Sequence, residues 1–493
     1  MDDEETSQLE PAKQLVTAST KSDVDYSQNA PPPSQQGVVS ISETGDLVLV
    51  ISCGKTDESP IAYRVDSKLL RRSSRYFSGL LHPDRFKEGI GFREAMVRLE
   101  SRQLEPSSLP PQMLPRIELH EIGLASPGRG LENVVGDFFR VLHGAMHWKV
   151  QPDGKVRLSM SYFANMAVLA DRFDCIPAIA RYFNGSPNLL HRVEFKDKGK
   201  EAYGGTEERI RQKALVGWFF NEPEWFRANT KKLVFGGFTQ WAGDEKVKGA
   251  DGQGIWWDLP GGLEDELRYR RKCILRTLNA LQLHFLKLYT SKRRQCKLGY
   301  DSSPQCDSFQ LGEAIRFFTR IGTLRLQGLI FGLSEEDSDI EGVAAAERQL
   351  TGDVENLIAI MKQVPSYQID SNHKHCGVRT RLIPALKYIE ALLPAAGLCL
   401  WCWVSDRSGY AWSLKEVGDE GEDRLLSSPS PYTRVEFPSL NAGKDARPVN
   451  GKAQKKNGSD CGARDFHRLA RDLFTAAKAH WTPERWEHNL QIR

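Results

Sequence analysis

From residue 38 onward the chain switches between two hydrophobic periods, and the switches set the expected architecture. Residues 45–52, Gly-Asp-Leu-Val-Leu-Val-Ile-Ser, are a short run rich in leucine and β-branched side chains with turn-forming residues on both sides, which predicts a buried strand. Residues 61–65 predict a second strand, one hairpin loop away. The period then changes. Val65, Leu69, Leu70, Tyr76, Phe77, Leu80 and Leu81 recur three, four and seven apart, the spacing of one helix or two short ones, with Asp66 or Ser67 placed to cap the start. Residues 104–115 are polar and Pro-rich, and 116–122 alternate with period two, as a half-buried strand does. Helices are predicted over 131–143 and 161–182.

After residue 207 the pattern is helical. Leu267, Ile274, Leu278, Leu281, Phe285 and Leu288 keep helical spacing over more than five turns. Residues 311–318, 354–361 and 382–393 repeat it more briefly, the last with Pro384 in its expected first turn, where proline is tolerated. These predict an all-helical domain over 205–412, with the N-terminal unit packed against it or tethered to it. Residues 1–37 and 418–462 hold too little apolar surface to offset the entropy of ordering and are expected to be disordered. A last helical pattern, 463–490, carries Phe466, Leu469, Leu473, Phe474 and Trp481; it is expected to dock onto the helical domain or to serve a partner.

Particular residues accompany this order of elements. GDLVLVIS, YRVDSKLLRRSSRYFSGLL, FKEG, LHGAMHW and VLADRFDCIPAIARYF together resemble a BTB/POZ domain, in the form common in uncharacterised proteins of filamentous fungi, and place that domain at 38–190. Two features depart from the pattern. Val65-Asp66 stands where animal members carry Ala-His, and an insertion occupies about 92–115. The resemblance implies an α+β fold class: an N-terminal BTB/POZ domain followed by a mostly α-helical C-terminal domain, with disordered segments. It also implies a protein–protein interaction module, self-associating as a homodimer or acting as an adaptor that holds the cullin of a ubiquitin ligase. Phe86-Lys87-Glu88 matches, residue by residue, the hydrophobic–any–Glu pattern of cullin-binding members. With Asp46, Tyr76 and Phe77, Phe86 and Glu88 form the candidate partner-binding set. Self-association is expected around Leu47, Leu49, Leu69 and Tyr76.

Charge changes little in this picture. Across 493 residues, 67 Lys and Arg against 64 Asp and Glu leave a net +3, so nucleic acid is not expected as a partner on global charge. Residues 391–404 are apolar but contain Pro394 and fall short of the roughly 20 residues of a membrane span. With an acidic, polar start, the expectation is a protein of the cytoplasm or nucleus with reduced cysteines and no membrane contact. One basic stretch is local: Arg268, Arg270, Arg271, Lys272 and Arg276 lead a run that ends at Lys297. It reads as a solvated helix face, with an acidic partner or nucleic acid as alternatives. A nuclear, transcription-associated protein using that helix is therefore a second functional reading, and an enzyme with its site in the helical domain is a third.

Reaction chemistry is sparse. Gly54-Lys55-Thr56 lacks the upstream glycine of a phosphate-binding loop, and no GxSxG is present. His120, His143, His147 and His284 lie beside apolar residues and read as structural histidines. One grouping differs: His373-Lys-His-Cys376-Gly377 and Cys399-Leu-Trp-Cys402. Each has two potential ligands separated by two residues, so that one tight turn aims both at one ion. The four would close a tetrahedral structural zinc site with no open position. The alternative is that Cys399 and Cys402 are small buried hydrophobes. Cys296 and Cys306 read as free buried thiols, with pairing to each other or membership of a metal site as the alternatives, since nothing else in their stretch supplies ligands. Zinc is the only cofactor these patterns suggest.

Overall fold

The computed structural model describes residues 37–52, 60–120, 122, 131–146, 158–185, 203–236, 255–296, 303–324, 353–413 and 463–476. The expected disordered arm up to residue 36, the 418–462 linker, Gly54-Lys55-Thr56, His147 and the chain beyond 476 lie outside them. The described residues are mostly helical, with one four-stranded sheet near the N-terminal end.

The sheet is ordered β1-β3-β2-β4, from β1 (Val39–Ser40), β2 (Leu47–Ile51), β3 (Ile61–Val65) and β4 (Arg116–Leu119). β2 runs antiparallel to β3, with Leu49 opposite Tyr63, and parallel to β4, with Leu49 opposite Ile117. Leu47, Leu49, Ile51, Tyr63, Val65, Ile117 and Leu119 enter the main core. Val48, Val50 and Ala62 point the other way and are covered too. Burial on both faces explains why β2 reads as an unbroken apolar run rather than an alternating one.

What covers the second face is the insertion. It is not merely a polar excursion: α3 (Lys87–Ser101) and two 3-10 turns, Pro106–Ser108 and Pro111–Met113, follow one another there. Leu99, Leu109 and Leu114 close a small separate core with Val48, joined by Met96 and Leu104. Arg64 fastens the layer, donating from Nε to Gly45 O at 2.9 Å and from Nη2 to Pro106 O and Ser107 O at 3.1 and 3.2 Å. Gly89 lets the first turn of α3 approach the preceding segment, because a Cβ there would overlap the carbonyl oxygens of His82 and Leu80.

The first face packs on α1 (Ser67–Ser73), α2 (Arg75–Leu80), α4 (Leu131–Leu142), α5 (Met160–Arg172) and α6 (Ile176–Asn184). Asp66 caps α1 by accepting from Lys68 N and Leu69 N at 2.8 and 3.1 Å. Ser74 separates α1 from α2; its hydroxyl accepts from Phe77 N and donates to Phe173 O. The single helix expected over 161–182 is two. Asp174 adopts φ +43° between α5 and α6, and a proline, Pro177, opens α6, where a continuing helix would need its N–H.

His143 joins α4 to this arrangement. Its Nε2 accepts from Asp66 N at 2.9 Å while Nδ1 faces Phe139 O at 2.7 Å, the pattern of a neutral ring donating from Nδ1. Burial is the main cause that holds its pKa down, partly opposed by the Phe139 carbonyl and the Asp66 carboxylate. The unfolded chain therefore takes up this proton first as pH falls below about 6.5. The resulting stability is complete above that value and is lost downward toward the lower folded pKa. Denaturation midpoints measured between pH 7.5 and 5, pH values chosen to bracket about 6.5, should fall more steeply for wild type than for His143→Gln.

Among the described residues the remaining helices are α7 (Tyr203–Phe219), α8 (Pro223–Gly236), α9 (Leu263–Thr290), α10 (Pro304–Arg320), α11 (Val354–Met361), α12 (Val378–Leu392), α13 (Leu400–Ser405), α14 (Arg407–Tyr410) and α15 (Arg464–Phe474). α9 buries the expected stripe from Leu267 to Phe285. α12 begins four residues before its apolar pattern does, so Pro384 lies inside the helix rather than in its first turn and removes the bond to the Thr380 carbonyl. α15 docks, as its pattern allows: Ala470, Leu473 and Phe474 are buried, and Phe474 stacks on Trp412 at 5.5 Å. One continuous hydrophobic core runs from Ile41 to Phe474, and Phe183 stacked on Phe220 at 5.1 Å lies where the sheet unit meets the helices. The two parts are packed together, not only tethered.

Candidate metal centre and interaction face

The His/Cys residues singled out in the sequence do not gather into one site. His373 and Cys376 stay together, but their companions are Cys296 and Cys306; Cys399 and Cys402 instead meet His467. The expected quartet is thus divided between two clusters. The reason is topological: after α12 the chain carries Cys399 and Cys402 to α15, while the turn holding His373 and Cys376 faces the end of α9 and the start of α10.

In the first cluster four ligand atoms lie within 4.8 Å of one another, and all four residues are buried. Cys296 Sγ is 3.5 Å from His373 Nδ1, Cys376 Sγ is 3.8 Å from the same nitrogen, and the two sulfurs are 3.9 Å apart. Local structure sets these positions. Asp370 caps the 3-10 turn Ser371–His373, accepting from Asn372 N at 2.8 Å, and Cys376 N donates to His373 O at 3.1 Å. Cys306 sits in the first turn of α10, capped by Ser303. Gly377 has φ −71°, so its value lies in space rather than in an unusual turn: a Cβ would press on Gln310 Oε1 and Tyr367 O at 3.2 Å.

Around these ligands the backbone is pinned. Tyr289 donates to Cys376 O at 2.6 Å. Gln295 N donates to Asp307 at 2.9 Å, and buried Arg381 donates to Gln295 Oε1 and O at 2.9 and 3.2 Å. Burial pushes the Cys306 thiol up, and the neighbouring Cys376 and Cys296 sulfurs push it further.

The second cluster offers three ligand atoms. His467 is buried, meets Tyr410 edge-on at 5.4 Å, and leaves its Nδ1 without a hydrogen-bond partner. Beside it is a cleft of about 270 Å³ lined by Cys402, Asp406, Tyr410, Arg464, Arg468 and Arg471. That is below the roughly 300 Å³ at which small-molecule sites begin. The Tyr410 phenol is pushed up by burial and accepts from Cys399 N at 2.7 Å, a structural role.

Of the partner-binding candidates, several are engaged within the fold. Phe77, Leu47 and Leu49 are fully buried. Asp46 accepts from Ser67 N and Oγ at 2.8 and 2.7 Å, holding the start of α1. Tyr76 is half-buried against Phe77 and Phe173, both at 5.3 Å. Phe86 differs: it precedes α3 and is 51% exposed. Glu88 lies in the first turn of that helix, 3.9 Å from Lys87. Ile90 and Val97, 42% and 55% exposed, share the outer face of α3, and Phe86 is exposed in the extended residue just before it. This apolar ridge was visible in the sequence only at its first residue, because an insertion gives no reason to assign its faces.

The basic helix also reads differently in three dimensions. Arg270 and Arg271 are buried: Arg270 pairs with Glu266 at 2.6 Å, and Arg271 donates to Val234 O and Phe235 O. Arg211 similarly forks onto Glu264 at 2.8 and 3.1 Å and reaches Glu207 at 3.0 Å. Arg268, Lys272 and Arg276 do face outward. No helix among the described residues is long and apolar enough to cross a membrane. The chain matches no protein-family model, no curated protein and no solved structure.

Proposed function

We propose that this protein is a protein-interaction module whose working surface is the outer face of α3, borne by a BTB-like strand-and-helix unit and braced by the helical part. The observation that carries this reading is the ridge of Phe86, Ile90 and Val97, spaced four and seven apart and each about half exposed, on a helix whose opposite side is packed against the sheet. Aligned apolar side chains left in water on a fixed helix are a docking feature. The order β3-β2-β4, with a helical hairpin between β3 and β4, is compatible with the BTB resemblance.

Self-association is the first form of the proposal. Lys87, Arg93 and Arg98 on α3 are matched in number by Glu88, Glu94 and Glu100, so two copies of the helix laid antiparallel would present opposite charges along the ridge. The cullin-adaptor form rests on Phe86-Lys87-Glu88 alone. The basic helix supports nucleic-acid binding less well, with two of its arginines in the core.

Phe86→Asp/Ile90→Asp/Val97→Asp should leave the fold's stability within about 0.5 kcal/mol, as surface changes do. It should weaken association at least 30-fold, the effect of losing about 2 kcal/mol of anchor energy. Light scattering over a concentration series reads self-association, and affinity capture from a cell extract, with Phe86→Ala and Glu88→Ala alongside, reads a cullin. Unchanged mass and unchanged captured proteins in the triple variant would overturn the reading.

A further inference from the structure

We infer that Cys296, Cys306, His373 and Cys376 bind one zinc ion, in a closed structural site that ties the end of α9, the start of α10 and the start of α12 together. The inference is independent of the interaction reading and rests on the geometry of this cluster. For a Zn–S bond of about 2.3 Å and a Zn–N bond of about 2.0 Å, a regular tetrahedron has S···S edges of ~3.8 Å and S···N edges of ~3.5 Å. The three edges among Cys296, Cys376 and His373 are 3.9 Å between sulfurs and 3.5 and 3.8 Å from sulfur to nitrogen, and the Cys306 sulfur lies within 4.8 Å of all three ligand atoms. A disulfide is a poor account of the same atoms, since its sulfurs stand about 2.05 Å apart.

The surroundings suit the ion. His373 turns Nδ1 toward the sulfurs and Nε2 toward Asp370 Oδ2, which at 3.9 Å is beyond direct hydrogen-bond distance but places a carboxylate on the side of the ring nitrogen that would keep its proton. Three thiolates and one Zn²⁺ leave a single negative charge, and the guanidinium of Arg381 is buried beside Gln295, next to Cys296 in the chain. On binding, the three thiol protons pass to water and the neutral imidazole contributes its Nδ1 lone pair. Four protein ligands leave no position for substrate, and a tetrahedral S₃N donor set selects zinc over harder divalent ions.

The full-length protein, purified under reducing conditions without chelator, decides the matter by elemental analysis and zinc-edge X-ray absorption. Cys399→Ser/Cys402→Ser should retain about one zinc per chain, with a shell of three sulfurs and one nitrogen. Loss of zinc from this variant while its helical circular dichroism is kept would overturn the assignment, as would a metal-free wild type. Cys306→Ser should hold that ion less tightly and release it faster to a chelator than wild type. Because that variant could also lose its fold, His373→Cys provides a second test. It keeps four ligands and should shift the shell toward four sulfurs; an unchanged shell would overturn the assignment as well.

Discussion

Glu266→Ala is expected to destabilise the helical part by about 3–5 kcal/mol, the usual result of leaving a buried charge without its partner. Arg270 is fully buried and lies 2.6 Å from Glu266. Its guanidinium is sandwiched over Tyr410 at 4.8 Å and Trp412 at 4.7 Å and donates to the carbonyls of Ala395 and Ala396. Glu266 also accepts from Trp412 N at 2.9 Å and from Ser413 N and Oγ at 3.1 and 2.8 Å, so it organises the segment at Trp412 that α15 packs against. Deleting the carboxylate strands a cation and three donors together. Removing both charges is a different experiment: Glu266→Leu/Arg270→Leu should recover much of the loss, since neither desolvated charge remains. The midpoint of urea unfolding followed by helical circular dichroism separates the two cases. Lys231–Glu355, at 3.0 Å but partly exposed on both sides, is the control and should cost under about 1 kcal/mol when broken.

Phe173→Ala should cost about 3–5 kcal/mol in the N-terminal unit, the range for removing a buried aromatic ring. Phe173 is the hub of that core. Its ring stacks on Phe77 at 5.0 Å and meets Tyr76 at 5.3 Å, Phe138 at 5.5 Å and Phe139 at 6.5 Å. Its carbonyl also accepts from the Ser74 hydroxyl that separates α1 from α2. The surrounding rings come from two different helices, α2 and α4, and cannot collapse together into the space. Phe173→Leu, which keeps most of the volume, should cost less, and Tyr76→Ala less than Phe173→Ala because Tyr76 is already half-open to water. Hydrogen exchange across α1, α2 and α4 would show the loss where it occurs. Protection unchanged in those helices would mean that the rings are neighbours without being a cooperative unit.

How far the sequence reached can be judged from single elements. The strands at Leu47–Ile51 and Ile61–Val65, the helix pair with Asp66 as its cap, and the long stripe of α9 follow from periods and caps set by residues within about four positions of one another. The break at Asp174 was less legible. The apolar pattern continues through it, and Pro177 was its one local sign. The expected helix face at Arg270 and Arg271 failed for a related reason. A charged residue on a helix looks solvated unless the carboxylate or carbonyl that will meet it is known.

Local order therefore determined that this chain makes a short sheet, a helical hairpin and long amphipathic helices, and that His373 and Cys376 share one tight turn. Only the tertiary structure decided that the insertion covers the sheet's second face, and that this turn meets Cys296, 77 residues away, rather than Cys399 and Cys402. Period and capping are carried by neighbours in sequence. The convergence of ligands and buried charges depends on where separate helices end against one another, and no short-range pattern records that.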